Sequence, residues 1–278
     1  MERLRRSWQL VKSSWGLLRS DKELLLFPVA SGIVMSVALG VLFLVWLGSG
    51  GLARLDGDGL GVLDLVLAYL LYFVISTVGV FFNAALIAAA NVRLDGGDPT
   101  LADGFRVAIS HLPAILGWAA IAATVGLLLS ALRERGGAIG AVISLLGNMA
   151  WALVTFLVVP VLVIEGVGPI EAIKRSAGLL RKTWGEQIVG NFSIGLVTGL
   201  AFVAALVLGG IIVFALFGLS EVLGIIGALI LVIGLIILGL IGSTLSGIFN
   251  IALYRYATGK DADAFFPRET LAGAFRDR

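Results

Sequence analysis

Long apolar runs separated by short charged segments dominate the hydrophobic pattern of this chain. Six windows contain no Asp, Glu, Lys or Arg, and each is longer than the ~20 apolar residues that a helix needs to span a bilayer. The runs are continuously apolar and do not alternate, so they predict transmembrane helices and exclude a membrane β-barrel. The windows are Leu24–Ala53, Leu65–Val92, Val107–Leu132, Gly136–Ile164, Gln187–Ser220 and Val222–Tyr254.

Two of the charged segments carry similar ten-residue phrases, RSWQLVKSSW at 6–15 and RSAGLLRKTW at 175–184. In both segments apolar residues recur at helical spacing, and basic residues lie off that stripe. A basic amphipathic helix with Trp on its apolar face belongs in the membrane interface. The predicted contacts to lipid headgroups are Arg5, Arg6, Trp8, Lys12, Trp15, Lys174, Arg175, Arg181, Lys182 and Trp184.

Further similarities divide the chain into three repeats. A weaker third copy of the amphipathic segment lies at 101–116, and FFNAALI at 81–87 matches IFNIALY at 248–254. Repetition of this kind indicates units of one interfacial helix followed by two spans. We therefore expect an all-α polytopic membrane protein with one membrane domain, 1–278. The expected units are 1–92, 100–165 and 168–257 with a tail at 258–278, and the expected interfacial helices lie near 2–19, 100–110 and 168–183.

Composition and charge support this picture and predict an orientation. The chain is 59% hydrophobic and 14% charged, whereas a soluble domain carries about 25% charged residues. Lys and Arg concentrate on one predicted side, and only Arg54, Arg133 and Arg135 fall on the other. The positive-inside rule places both termini in the cytoplasm and the protein in the plasma membrane.

The sequence offers little catalytic chemistry. Cys is absent and His111 is the single His, so disulfides and Cys- or His-built metal sites are not expected, and no cofactor is implied. No Walker loop, HExxH or GxSxG motif occurs. Carboxylates such as Asp64, Glu165 and Glu221 lie at span ends, which argues against an enzyme and against a proton-driven transporter.

Neutral polar residues recur at helical spacing inside four of the spans. Such stripes can line a polar conduit, or they can bond across helices at about 1 kcal/mol or less each. The sequence leaves both possibilities open and favours the second. The four stripes are Ser76 with Asn83; Ser144 with Asn148 and Thr155; Asn191 with Thr198; and Ser243 with Ser246 and Asn250.

The connection at 159–184, VPVLVIEGVGPIEAIKRSAGLLRKTW, is the most recognisable stretch of the chain. It resembles a group of uncharacterised prokaryotic six-span proteins related to the membrane domain fused to some glycerophosphodiester phosphodiesterases. The resemblance implies the six-span topology, and the phosphodiesterase domain of that group is absent here. The residues that carry it are Pro160, Glu165, Gly166, Gly168, Pro169, Glu171, Ala172, Lys174, Arg175 and Ser176.

Glu165 stands where the fourth span turns into the next amphipathic segment. Gly166, Gly168 and Pro169 suit a tight turn into a helix start, where backbone N–H groups favour an anion. A charge pair is the alternative, either with Lys174 or Arg175, which requires the chain to fold back, or with Arg5, Arg6 or Lys12 of the N-terminal segment. The sequence favours a structural cap at Glu165.

The pattern as a whole predicts a non-enzymatic integral membrane protein. One hypothesis is a passive channel-like conduit for ions or small solutes, supported by the polar stripes. The alternative is a lipid-organising or scaffold protein without transport activity, supported by the basic Trp-bearing helices. Membrane lipids with anionic headgroups are the expected partners, a homo-oligomer is a further expectation, and no nucleic acid is implied.

Overall fold

The protein is helical throughout the part that the structure describes, and no strand occurs there. The computed structural model describes residues 12–52, 61–184, 193–260 and residue 266, without the side chains of residues 182–184 and 193–197. The helices are α1 (12–20), a 3-10 turn (Lys22–Leu25), α2 (Leu26–Gly48), α3 (Val62–Leu94), α4 (Leu101–Ser110), α5 (Leu112–Arg135), α6 (Gly137–Thr155), α7 (Val158–Ile164), α8 (Pro169–Trp184), α9 (Ser193–Leu219) and α10 (Glu221–Ala257).

Six described segments are long and apolar enough to cross a membrane. They are the 3-10 turn with α2, then α3, α5, α6 with α7, most of α9, and α10. Each overlaps one of the six charge-free windows. An α-helix pairs its backbone groups within one segment, so a single apolar run can cross lipid as a helix. The predicted class, an all-α polytopic membrane protein, is confirmed.

The fourth span is broken, which the apolar pattern did not predict. Helix α6 ends at Thr155, and α7 begins at Val158. Pro160 has no N–H to bond the carbonyl of Phe156, and its ring crowds that carbonyl, so the helix cannot continue regularly through this point. The break frees backbone groups that must find partners from another element.

The helices pack most tightly at one end of the bundle. We call the helices α1, α4 and α8 the collar, and the end where they lie the collar end. The buried apolar side chains of this core come from the collar, from the collar-end halves of α3, α5 and α10, from α7, and from Leu24 and Phe27 at the start of the first span. An aromatic contact joins them, because Phe105 of α4 lies 5.2 Å from the ring of Phe27. Each collar helix thus packs one side against the bundle and exposes another.

The opposite end is open. Leu208, Ile211 and Phe214 of α9 are exposed, as are Ile226 and Ile230 of α10. From about Gly242 onwards the sixth span packs against several helices, whereas its outer half packs on α9, where Gly224 and Gly227 lie against Phe217 and Leu216. Exposed apolar side chains in a spanning helix face the lipid, so the outer part of this hairpin lies in a lipid environment.

The collar helices form where the amphipathic segments predict them, but their buried faces differ from the predicted apolar stripe. Helix α4 starts with a capping box in which Thr100 Oγ1 accepts from the N–H of Asp103. Helix α8 buries Ala172, Ser176 and Leu180, whereas Ile170 is exposed. Contacts with the ends of the neighbouring helices determine which face of α8 is buried. The hydrophobic pattern of one helix does not reveal such contacts.

Candidate functional site

The collar presents a row of basic side chains on its exposed face. Helix α8 packs one face on the bundle, and its bases Lys174, Arg175 and Arg181 lie on the exposed side. Helix α4 behaves in the same way. The exposed bases of the described collar and its adjoining turn are Lys12, Arg19, Lys22, Arg106, Lys174, Arg175 and Arg181.

The other predicted headgroup contacts divide into two groups. Trp15 of α1 is 45% exposed, so its indole is available to a membrane interface. Arg5, Arg6 and Trp8 lie outside the described residues, and so do the side chains of Lys182 and Trp184.

A pocket lies at the collar between α8 and the end of α10. It has a volume of about 660 Å³, and Lys174 and Arg175 contribute its positive charge. Glu171, Gly178 and Leu179 line it from the same helix, and residues 256–259 close the other side. We call this space the collar pocket. A basic concavity at the end of a membrane bundle suits an anionic headgroup.

Ser176 holds α8 against the broken fourth span. Its fully buried hydroxyl accepts from the N–H of Leu157 at 3.1 Å and donates to the carbonyl of Val154 at 2.7 Å. The two backbone groups lie beside the break that Pro160 produces. One side chain thus satisfies two groups that the helix leaves unpaired, and fixes the place of α8 under the bundle.

Glu165 makes a charge pair, so the predicted backbone cap is wrong. Arg175 Nε donates to both carboxylate oxygens, at 3.3 and 3.2 Å, and Tyr254 Oη donates to one of them at 3.0 Å. Gly166 adopts a φ of 66°, a left-handed conformation that Gly tolerates. This turn folds α8 back beneath the span and brings Arg175 within reach. Gly168 and Pro169 complete the connection, and Pro169 begins α8 as expected.

A second ionic contact ties α10 to α3. The guanidinium of Arg255 is buried; its Nη2 donates to Asp95 Oδ1 at 2.6 Å and its Nη1 to Asn91 Oδ1 at 3.0 Å. The carboxylate of Asp95 is exposed, so the pair leads from the bundle interior to its surface. Sequence reasoning missed these three residues, although a base at the end of a span is a signal for such a pair.

Polar side chains from two predicted stripes line one crevice. It has a volume of about 460 Å³ and lies between α2, α3 and α10 in the collar-end half of the bundle. Asn83 faces it from α3, and Asn250 with Ser243 and Ser246 faces it from α10. Ser31 of α2 joins them. The local phrases FFNAALI and IFNIALY thus place their Asn residues in the same space.

The remaining polar stripes lie elsewhere. Ser144 Oγ donates across helices to the carbonyl of Leu129 at 2.8 Å, which is the interhelical bonding that such residues often provide. Asn148 is exposed, and its amide donates back to the carbonyl of Ser144. Thr155 donates to the carbonyl of Trp151 within its own helix. These three residues do not line the crevice.

Two positions complete the predicted set. Ser76 of α3 is half-buried and does not line the crevice. Thr198 of α9 packs beside Gly242 of α10, whose missing side chain lets the two helices approach. Asn191 lies outside the described residues. The Asn residues therefore do not all converge, because Asn148 lies apart from Asn83 and Asn250.

Asp21 lies between α1 and the first span, and burial raises its pKa above the ordinary value. One of its carboxylate oxygens is buried without a hydrogen-bond partner among the described residues. With a raised pKa, the folded state holds the proton more tightly, so stability falls as pH rises through that pKa. At neutral pH the ionised carboxylate therefore opposes folding.

We expect Asp21→Asn to stabilise the protein at pH 7 by less than about 1 kcal/mol, because solvent nearby screens the charge. The gain should shrink as the pH is lowered to 4, because the parent carboxyl takes up its proton. Thermal unfolding in detergent at the two pH values measures it. A gain that is equal at both pH values contradicts this reading of Asp21.

No group of three or more potential metal ligands occurs within the described residues. The six spans, the basic collar and the polar crevice define a multi-pass integral membrane protein. More narrowly, the chain belongs to the family of unknown function DUF6159, whose model matches residues 62–264.

Two other comparisons give no match. No curated protein and no solved structure matches the chain. The comparisons do not show the resemblance to the membrane domain of glycerophosphodiester phosphodiesterases, which stays a prediction. The family match covers both sides of the crevice that α3 and α10 supply and the whole of α8.

Proposed function

We propose that this protein is a non-enzymatic membrane protein that binds anionic lipid headgroups at its collar and so organises lipid around the bundle. The collar pocket is the observation that carries the proposal. Its two bases lie at the end of the spans, where headgroups of the adjoining leaflet are within reach. Each Lys or Arg near an anionic surface contributes about 1 kcal/mol.

Arg175 can bond Glu165 within the fold and bind a ligand in the pocket at the same time. Among the described contacts it donates to Glu165 only through Nε. Its two terminal nitrogens are left for a phosphate, and a guanidinium binds phosphate oxygens in pairs. Lys174, exposed one position earlier, adds a second positive charge at the same pocket.

The geometry favours lipid binding over a passive conduit. A conduit needs its polar side chains to converge on one path, and Asn148 lies outside the crevice. The Ser144 and Thr155 hydroxyls are used within or between helices. The outer halves of α9 and α10 expose apolar side chains, which suit lipid and not a water-filled lumen.

The proposal includes an orientation, in which the collar and both termini face the cytoplasm of a plasma-membrane protein. Support comes from the distribution of Lys and Arg, which cluster at the collar. The chain lacks Cys, so single-cysteine variants need no background changes. We expect Lys174→Cys to react with an impermeant thiol reagent only after the membrane is opened. Glu134→Cys at the opposite end should react in intact cells, and the reverse pattern contradicts the orientation.

The collar also supports the proposed repeat, in a register different from that of the two Arg-Ser phrases. Helices α1 and α8 share the pattern K-x-S-x-G-L-L-R. Both Ser14 and Ser176 are fully buried, and Leu17 and Leu18 are buried like Leu179 and Leu180. Equal burial at equal positions is what repeated units produce. A homo-oligomer remains part of the proposal as an expectation.

A pair of double variants tests lipid binding at the collar. Lys174→Gln with Arg181→Gln removes two positive charges from α8. Arg133→Gln with Arg135→Gln removes two exposed charges from the opposite end. In nanodiscs, we expect the first to lower the affinity for phosphatidylglycerol by about tenfold or more at low salt, and the second to change it less than twofold.

Native mass spectrometry of the retained lipid gives the affinity ratio. Because the two variants change net charge equally, a general electrostatic effect would weaken binding in both. Equal losses in the two variants, or no loss in the α8 variant, contradict the proposed site.

A further inference from the structure

The crevice between α2, α3 and α10 has the chemistry of a site for an uncharged ligand. Its polar side chains are hydroxyls and amides, and none of its lining residues is charged. Apolar side chains such as Met35, Phe82 and Leu240 form the rest of the wall. A charged group placed here would lose its hydration without a counter-charge, which is costly.

The side chain of Asn250 has an acceptor that needs a hydrogen-bond donor. Its side-chain oxygen is buried and has no hydrogen-bond partner among the described residues. Buried acceptors are nearly always paired, and leaving one unpaired costs about as much as a lost hydrogen bond. Ser243, two turns away along α10, donates its hydroxyl to the carbonyl of Leu240 instead. The crevice therefore calls for a ligand that brings an O–H or N–H donor.

The depth of the crevice in the membrane indicates that its ligand is a lipid. Asn250 lies seven residues before the end of α10 at Ala257, which is about 10 Å along the helix axis. Half the hydrocarbon core measures about 15 Å, so a span that enters the bilayer at Ala257 places this amide within the leaflet next to the collar. Exposed apolar side chains continue from the crevice toward the far end, including Val37 of α2 and Ile236 of α10.

We propose that this crevice binds an uncharged two-chain lipid with a free hydroxyl, of the diacylglycerol class. The hydroxyl donates to the side-chain oxygen of Asn250, and Asn83 and Ser246 contact the glycerol region from the two flanking helices. The acyl chains run along the exposed surfaces of α2 and α10. This site is separate from the collar pocket and does not depend on anionic lipid binding there.

The test measures binding of dioleoylglycerol to the full chain in phosphatidylcholine nanodiscs. We expect Asn250→Leu to weaken binding about tenfold, since one hydrogen bond to the ligand is lost. Ser246→Ala, which removes only a hydroxyl, should weaken binding severalfold and serves if the first variant does not fold. Asn148→Leu is the matched control, because its exposed amide lies outside the crevice, and binding should be unchanged.

A second readout separates a ligand site from helix packing. Without diacylglycerol, Asn250→Leu should melt at the same temperature as the parent or higher, because an unpaired acceptor has been removed. A lower melting temperature with unchanged dioleoylglycerol binding would assign Asn250 to helix packing and overturn the proposal. Displacement by dioleoyl phosphatidic acid at equal concentration would also overturn it, since the site would then recognise phosphate.

Discussion

Ser176→Ala is expected to lower the free energy of unfolding by about 2 kcal/mol. The substitution removes the only side chain seen to bridge Leu157 N–H and Val154 C=O in the described part of the chain. The Leu157 contact is buried and the Val154 contact is part-buried, and an unsatisfied buried group costs about 1–3 kcal/mol. Denaturant titration of the purified protein in mixed micelles measures the loss.

Ser110→Ala provides the matched control. The hydroxyl of Ser110 is exposed and donates to the carbonyl of Val107 in its own helix. Its removal should change stability by no more than about 0.5 kcal/mol. If the two serine variants lose equal stability, Ser176 does not hold α8 to the broken span.

Glu165→Leu is expected to cost about 2–3 kcal/mol, and Glu165→Gln about 1 kcal/mol. Leu removes the acceptor of both Arg175 and Tyr254, whereas Gln keeps an oxygen for Tyr254. The side chain of Arg175 is 54% exposed and that of Glu165 22% exposed. Water therefore compensates much of the lost charge pair, which limits the cost of Gln.

Thermal unfolding of the two variants, together with Tyr254→Phe, separates these contributions. Tyr254→Phe removes one hydrogen bond and should cost about 1 kcal/mol. A Gln variant that melts as low as the Leu variant would show that the charge pair alone matters. A Tyr254→Phe variant with parental stability would contradict the contribution of the hydroxyl.

The spans and the collar helices could be predicted from the sequence, because each depends on a local pattern. A charge-free run longer than a bilayer requires a helix, and Thr100 with Asp103 marks the start of α4. The break at 156–157 was harder to predict. Pro160 was visible, but a proline near a span end can also bend a helix without ending it.

The contacts that form the candidate sites depend on distances between segments, which a single sequence does not supply. The pairing of Glu165 with Arg175 requires the sharp turn at Gly166, and the sequence favoured a cap at Glu165 over this pair. The phrases around Asn83 and Asn250 match in the sequence, and both residues line the crevice. Nothing comparable linked Asn148 to them, since its stripe belongs to a different face of the bundle.

The central claim is that anionic lipid binds at the collar, and photo-crosslinking tests it most directly. The parent protein would be reconstituted with phosphatidylglycerol carrying a photoreactive group on its headgroup, and crosslinked peptides would be mapped by mass spectrometry. We predict adducts on α8 around Lys174 and Arg175 at low salt, which decline as salt screens the charges. Adducts at Arg133 and Arg135 that equal or exceed those on α8 would contradict the claim.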